Sequence, residues 1–279
     1  MTGITAVASV IALLGLLIGS FLNVVVYRVP AGISVVAPAS ACPTCGHAIR
    51  AVDNVPVLSW LLLRGRCRYC RARISVRYPL VEAITCGLFL AVAVRIWALP
   101  ARPANDADRA LAAHSVLLVA FLYLMAISVA LSLIDVETHT LPNVIVLPAY
   151  PVCLVLLAGV SVLTGDGAAF VRGVIGLAAL GLGYLMLAIL VPGGMGLGDV
   201  KLAGVLGFVL AYLGWGPLAV GAFGAFLLGG IFAIVLVAMR RARRGSGIPF
   251  GPWMIGGAWV GVFLGGAIWN GYLGIIGLA

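Results

Sequence analysis

Asp135 in "SLIDVETHTLPN" and Asp199 in "GGMGLGDVKLAG" are two of only eight acidic residues in a 279-residue chain that is 63% hydrophobic and 9% charged. A carboxylate is expensive at or near bilayer depth, so each one needs a reason to be there. Asp53 sits in a polar loop, Asp106, Asp108 and Asp166 fall between apolar runs, and Glu82 opens an apolar run beside "RYP". These five read as solvated or helix-end acids. Asp135 and Asp199 read differently, because each stands where an apolar run meets a short turn and both turns belong on one membrane face. Two carboxyls at one depth can share a proton. One then acts as general base on water while the other, protonated, polarises a scissile carbonyl. That is the chemistry of an aspartic peptidase.

Five glycines surround Asp199, at positions 193, 194, 196, 198 and 204. A turn without side chains lets the backbone pass close to a substrate strand and sets Asp199 at the start of the next helix. An aspartate after a glycine turn also serves as an ordinary helix cap. Lys201 reads as an interfacial cation that snorkels to the surface. Glu137 and His139 read as a solvated turn, since a zinc peptidase built on His139 lacks the second helical histidine of H-E-x-x-H.

A second constellation lies in residues 42–70, "CPTCGHAIRAVDNVPVLSWLLLRGRCRYC". Cys42, Cys45, Cys67 and Cys70 form two C-x2-C knuckles, the spacing of a closed tetrahedral Zn²⁺ site with four thiolates at about 2.3 Å. Two disulfides are the alternative, and a cytoplasmic location disfavours them because that compartment keeps thiols reduced. The glycine of "CPTCG" permits the tight turn that brings backbone N–H groups toward a metal-bound sulfur. His47 is expected not to be a ligand, since four cysteines fill the shell. Cys86 and Cys153 lie in apolar runs and read as small buried hydrophobes.

The elements that must hold these groups are membrane helices. Mean hydropathy is +1.21, and apolar runs of about twenty residues recur along the chain. Spans are expected near residues 4–27, 79–99, 115–134, 144–164, 169–191, 201–213, 217–239 and 252–273, giving a bundle of about eight. The span after Lys201 is short, which predicts a tilted, broken or partly inserted helix. Thirty-seven glycines suit such a bundle, where small residues let helices approach closely in lipid. The expected organisation is a first transmembrane helix (1–28), a cytoplasmic four-cysteine loop (29–78) and a transmembrane peptidase bundle (79–279).

Charge sets the orientation. Eight arginines fall between Arg28 and Arg77, and "RRARR" supplies Arg240, Arg241, Arg243 and Arg244. The positive-inside rule places both clusters in the cytoplasm, together with the turns that carry Asp135 and Asp199, and leaves both termini outside. The net charge of +9 is not read as nucleic-acid binding, because no basic face interleaved with aromatics accompanies it.

The combination resembles the type IV prepilin peptidases, membrane-embedded aspartic peptidases of bacteria. "GSFLNVVVYRVP", the double C-x2-C loop with "DNVPVLSWLLLRGRCRYC", "RYPLVE", "DVETHTLPN", "GLGDVKL" and "PFGPW" occur in the expected order across nearly the whole chain. The resemblance implies cleavage after a glycine of the short basic leader of prepilins or pseudopilins, on the cytoplasmic side of the bacterial inner membrane. It further implies N-methylation of the new terminus with S-adenosylmethionine. Asp135 and Asp199 correspond to the catalytic pair, and Cys42, Cys45, Cys67 and Cys70 to the metal cysteines. Three competing readings remain: a peptidase alone whose zinc loop docks substrate, a proton-coupled transporter using the two aspartates, and a zinc-bearing assembly factor without catalysis.

Overall fold

The structure, a computed structural model, describes residues 2–99, 106–191, 195–239 and 249–278. Nine α-helices occur among them: α1 (Thr2–Arg28), α2 (Leu58–Leu62), α3 (Arg77–Trp97), α4 (Ala107–Thr138), α5 (Asn143–Thr164), α6 (Gly167–Leu190), α7 (Leu197–Leu213), α8 (Trp215–Ala238) and α9 (Gly251–Ile275). The only β pairing in the described residues is two isolated bridges. The all-α class expected from the apolar runs is what the chain adopts.

Seven helices are long and apolar enough to cross a membrane: α1, α3, α4, α5, α6, α8 and α9. The eighth expected crossing is α7, with 17 residues, about 25 Å long at 1.5 Å per residue. It is short because it does not face lipid. Every residue from Leu202 to Tyr212 is buried, with α5, α6, α8 and α9 packed around it. A helix enclosed by protein need not match the thickness of the bilayer. Its last carbonyls are satisfied by Arg172 on α6, whose Nε donates to Ala211 O at 2.6 Å and whose Nη2 donates to Tyr212 O at 2.9 Å.

The helix α4 differs from the expected 115–134. It begins eight residues earlier, because Asp106 caps it by accepting the Arg109 N–H at 2.7 Å. Capping, not apolarity, sets that boundary. It also continues through Thr138, so Asp135 lies inside the helix and the following turn shrinks to residues 139–142. No helix breaker occurs there before Pro142.

The chain divides into two compact units, residues 1–99 with 121–130 and residues 100–120 with 131–279. In the first, α1 lies on α3 through Gly15 and Gly19, four residues apart on one face. A Cβ at either position would stand 2.7 Å from a backbone Cα of α3, that of Cys86 or of Glu82. Asn23 adds a polar stitch, its Nδ2 donating to Tyr78 O at 3.2 Å. The first unit also carries the loop between α1 and α3, with a 3₁₀ turn at Ala51–Asp53 and the short α2. In the second unit, α6 packs on α7 and α8 on α9.

Candidate active site and metal centre

The aspartate site lies wholly within the second unit. Asp135 is 4% exposed and stands on the last turn of α4. Its Oδ2 accepts the Gly251 N–H at 3.0 Å. Gly251 opens α9, so this N–H is one of the donors that a helix start leaves unpaired and that favour an anion. A side chain there would push the Asp135 carboxylate aside, because a Cβ at 251 would stand 2.7 Å from Asp135 Oδ2 and 3.2 Å from Leu141 Cδ2. His139 then ends α4 in the left-handed conformation (φ 53°), its N–H returning to Asp135 O at 2.9 Å.

Asp199 is the third residue of α7. Its Oδ2 accepts the Gly196 N–H at 3.0 Å, so the ordinary capping role foreseen for it is realised. The cap uses one carboxylate oxygen and leaves the other for a further partner. Leu141 ties the two halves of the site together. It meets the Cβ position of Gly198, beside Asp199, at 3.0 Å and that of Gly251, beside Asp135, at 3.2 Å. Gly193 and Gly194, part of the expected glycine turn, lie outside the described residues, as do the four arginines of "RRARR".

Three contacts at this site were not foreseen from sequence. The Gly251 donor is the first, and its only local signal is a glycine preceding Pro252 at a helix start. Tyr184 on α6 is the second: its buried ring packs with Phe226 and Phe250, at centroid distances of 5.5 and 6.3 Å, within electrostatic reach of Asp199. The third concerns Lys201, expected to snorkel. Its Nζ donates to Asn143 Oδ1 at 2.9 Å, and Tyr150 OH donates to Lys201 O at 2.6 Å, so α5 is fastened to the first turns of α7. Glu137 and His139 are both exposed, but only His139 lies in the turn; Glu137 stands on the last turn of α4.

The four cysteines converge in the first unit. Their sulfurs all lie within 4.8 Å of one another, and Cys42 Sγ and Cys70 Sγ are 3.8 Å apart. Each knuckle has the same backbone pattern. Cys42 N–H donates to His47 O and Gly46 N–H to Cys42 O, while Cys67 N–H donates to Ala72 O and Arg71 N–H to Cys67 O, all between 2.8 and 3.1 Å. A bridge closes each hairpin, Ala41 with Ala48 and Arg66 with Arg73. The arrangement could hold one metal ion. Ligand thiols must shed their protons. Backbone N–H groups of Cys45 and Thr44 already draw the Cys42 thiol down to about 6. At Cys45 the His47 N–H pulls the same way, but partial burial and the neighbouring sulfurs outweigh it and push the thiol up to about 11.

His47 is not among the converging ligands; it stacks on Tyr69 at 4.5 Å and so joins the two knuckles. Asp53 is paired with Arg68, which holds its carboxyl below the usual range. The residue after each second cysteine has positive φ, 71° at Gly46 and 60° at Arg71. Only the first is a glycine. Arg71→Gly is therefore expected to stabilise the loop by about 1 kcal/mol, and Gly46→Ala to weaken it by a similar amount. Slower and faster proteolysis within residues 42–73 would report the two changes.

Comparison with known proteins matches the two parts of the chain to peptidase A24 domains. Residues 13–96 match the bacterial peptidase A24 N-terminal domain, and residues 122–234 match the type IV leader peptidase family. The chain is 35% identical over 305 residues to a protein of Aeromonas salmonicida strain A449 named "Prepilin leader peptidase/N-methyltransferase", covering 96% of this chain and 94% of that one. It is 38% identical over 289 residues to the protein of that name from Pseudomonas putida (95% and 93% covered). The chain belongs to the type IV leader peptidase family. Within it, the leader-peptidase match spans Asp135 and Asp199, and the A24 N-terminal match spans all four cysteines. Gly251, the donor to Asp135, lies beyond the matched segment of the peptidase domain. No solved structure matches the chain.

Proposed function

We propose that the chain is an inner-membrane aspartic endopeptidase that cleaves the leader of prepilins or pseudopilins after glycine and then N-methylates the new terminus. The observation that carries the peptidase reading is the second unit's arrangement. Two sparse carboxyls are each oriented by one backbone N–H at a helix start, and Leu141 packs beside both. Water attacks the scissile carbonyl carbon and gives a proton to the carboxylate of the pair. The protonated partner donates to the carbonyl oxygen. Collapse of the tetrahedral intermediate breaks the C–N bond, and a proton passes from the pair to the leaving amine. In this mechanism the two acids share one proton, so neither is assigned the base role. Their placement at helix ends supports a peptidase over a proton relay, which would need acids along a crossing path.

The metal in this reading is Zn²⁺. A tetrahedron with Zn–S of about 2.3 Å has sulfur–sulfur edges of about 3.8 Å, the separation found between Cys42 and Cys70. Zinc would staple a loop too small to bury a core of its own. S-adenosylmethionine supplies the methyl group for the second activity; no glycine-rich nucleotide turn occurs among the described residues, and no residue is assigned to it. The arginines of residues 28–77 and 240–244 support a cytoplasmic active-site face.

Gly251→Val is expected to slow cleavage by at least ~10²-fold, because the added carbons displace the Asp135 carboxylate; kcat measured with a prepilin checks it. The experiment for the whole reading is incubation of the purified full-length protein with a prepilin and methyl-labelled S-adenosylmethionine. Release of the leader with label on the new N-terminus is expected. Release without label would leave a peptidase alone, and no release would reject the proposal.

A further inference from the structure

Glu82 sets the depth of α2. This carboxylate, 7% exposed, accepts the Val57 N–H at 2.7 Å, and Val57 is the residue on which α2 begins. Glu82 lies five residues into α3, about 7.5 Å along its axis, and α3 with its 21 residues is about as long as the hydrocarbon core is thick. The start of α2 is therefore drawn down beside a membrane-spanning helix instead of standing clear of it.

On α2, Leu58, Leu61 and Leu62 follow the i, i+3, i+4 spacing of one helix face. They are 59%, 57% and 83% exposed. Trp60 turns the other way, its indole N–H donating to Ile74 O at 3.2 Å and its ring covering Gly65. Immediately beyond stand Arg64, Arg66, Arg71 and Arg73, all exposed. The single acid between residues 29 and 76 is Asp53, which Arg68 already engages.

We infer that α2 and the second cysteine knuckle form an interfacial anchor for an anionic lipid surface. Leu58, Leu61 and Leu62 enter the boundary between headgroups and acyl chains, and Arg64, Arg66, Arg71 and Arg73 bind the headgroups. Three features select this occupant. The Val57–Glu82 bond holds the start of α2 beside the first turns of a spanning helix, the level at which an interfacial helix would bury its apolar side. The adjoining arginines complement anionic headgroups, each adding attraction within a Debye length of the surface. The same arginines repel a basic leader, which argues against substrate docking on this face. A five-residue helix is too short to persist alone, and lipid contact supplies what its own hydrogen bonds cannot.

The full-length protein would be placed in nanodiscs of phosphatidylcholine alone or with about a third phosphatidylglycerol. Trypsin cleavage after Arg64 and Arg66 would be followed by mass spectrometry. At low salt, cleavage should be about fivefold or more slower in the anionic discs, since each arginine contact with such a surface carries roughly that factor. The difference should shrink at high salt. The variant Leu61→Glu/Leu62→Glu, with its metal content checked, should be cut quickly in both lipids. Equal rates for the wild type in the two lipids at low salt would overturn the inference, as would protection unaffected by salt, the mark of a protein partner or internal packing. The wild-type comparison stands even where the variant loses its metal, and none of these readouts depends on peptidase activity.

Discussion

Asp199→Asn and Asp135→Asn are each expected to slow prepilin cleavage by at least ~10³-fold while the protein still inserts and folds. The expectation rests on what asparagine keeps and what it loses. Its side-chain oxygen can still accept the Gly196 N–H at the start of α7 or the Gly251 N–H at the start of α9, so both helix starts stay satisfied. Its volume is nearly that of aspartate, so Leu141 and the buried faces of α7 need not move. What disappears is the capacity to take a proton from water or to return one to the leaving amine. Cleavage of a prepilin by each purified variant, with helicity and membrane insertion compared with wild type, checks the prediction.

Cys67→Ser is expected to lower bound metal to well below one equivalent and to speed proteolysis within residues 42–73 many-fold. Apart from the metal, the loop between α1 and α3 is held by two short hairpins, the His47–Tyr69 stack, the Asp53–Arg68 pair, and the hydrogen bonds from Trp60 to Ile74 and from Val57 to Glu82. Much of its folding free energy would come from the metal, so losing one of four thiolates removes most of that term. The helix packing of α1 on α3 through Gly15 and Gly19 does not depend on the metal and should survive. Metal analysis and mass-spectrometric mapping of the first cuts separate the two effects. Unchanged metal content would count against the four-sulfur site.

The parts of this structure legible in the sequence are those carried by local spacing. Apolar runs announce the membrane helices because an α-helix satisfies its backbone within itself, so length and hydropathy suffice. The cysteine knuckles announce themselves because C-x2-C geometry is set within a single hairpin, and the sulfurs of the two pairs do converge. The scarcity of acids pointed to Asp135 and Asp199. Local spacing was silent on whatever tertiary contact decides. Gly251 reaches Asp135 across 116 positions, and Glu82 reaches Val57 across 25; neither residue advertises its partner. The shortness of α7 was visible, but its cause, burial on all sides, belongs to its neighbours. The start of α4 was misplaced because "NDADRALAAH" is polar, whereas the helix is begun there by a capping aspartate.

The measurement that bears most directly on the central claim is the cleavage rate of the Asp135→Asn/Asp199→Asn double variant beside the two single variants, under one set of conditions. If the carboxyls act as a single proton-transfer unit, removing either one already forfeits the whole contribution, and the double variant should be no slower than the worse single within error. Losses that multiply in the double variant would mean that the two aspartates act independently. Near-wild-type cleavage by either single variant would contradict the account outright and leave that aspartate as no more than a helix-end cap.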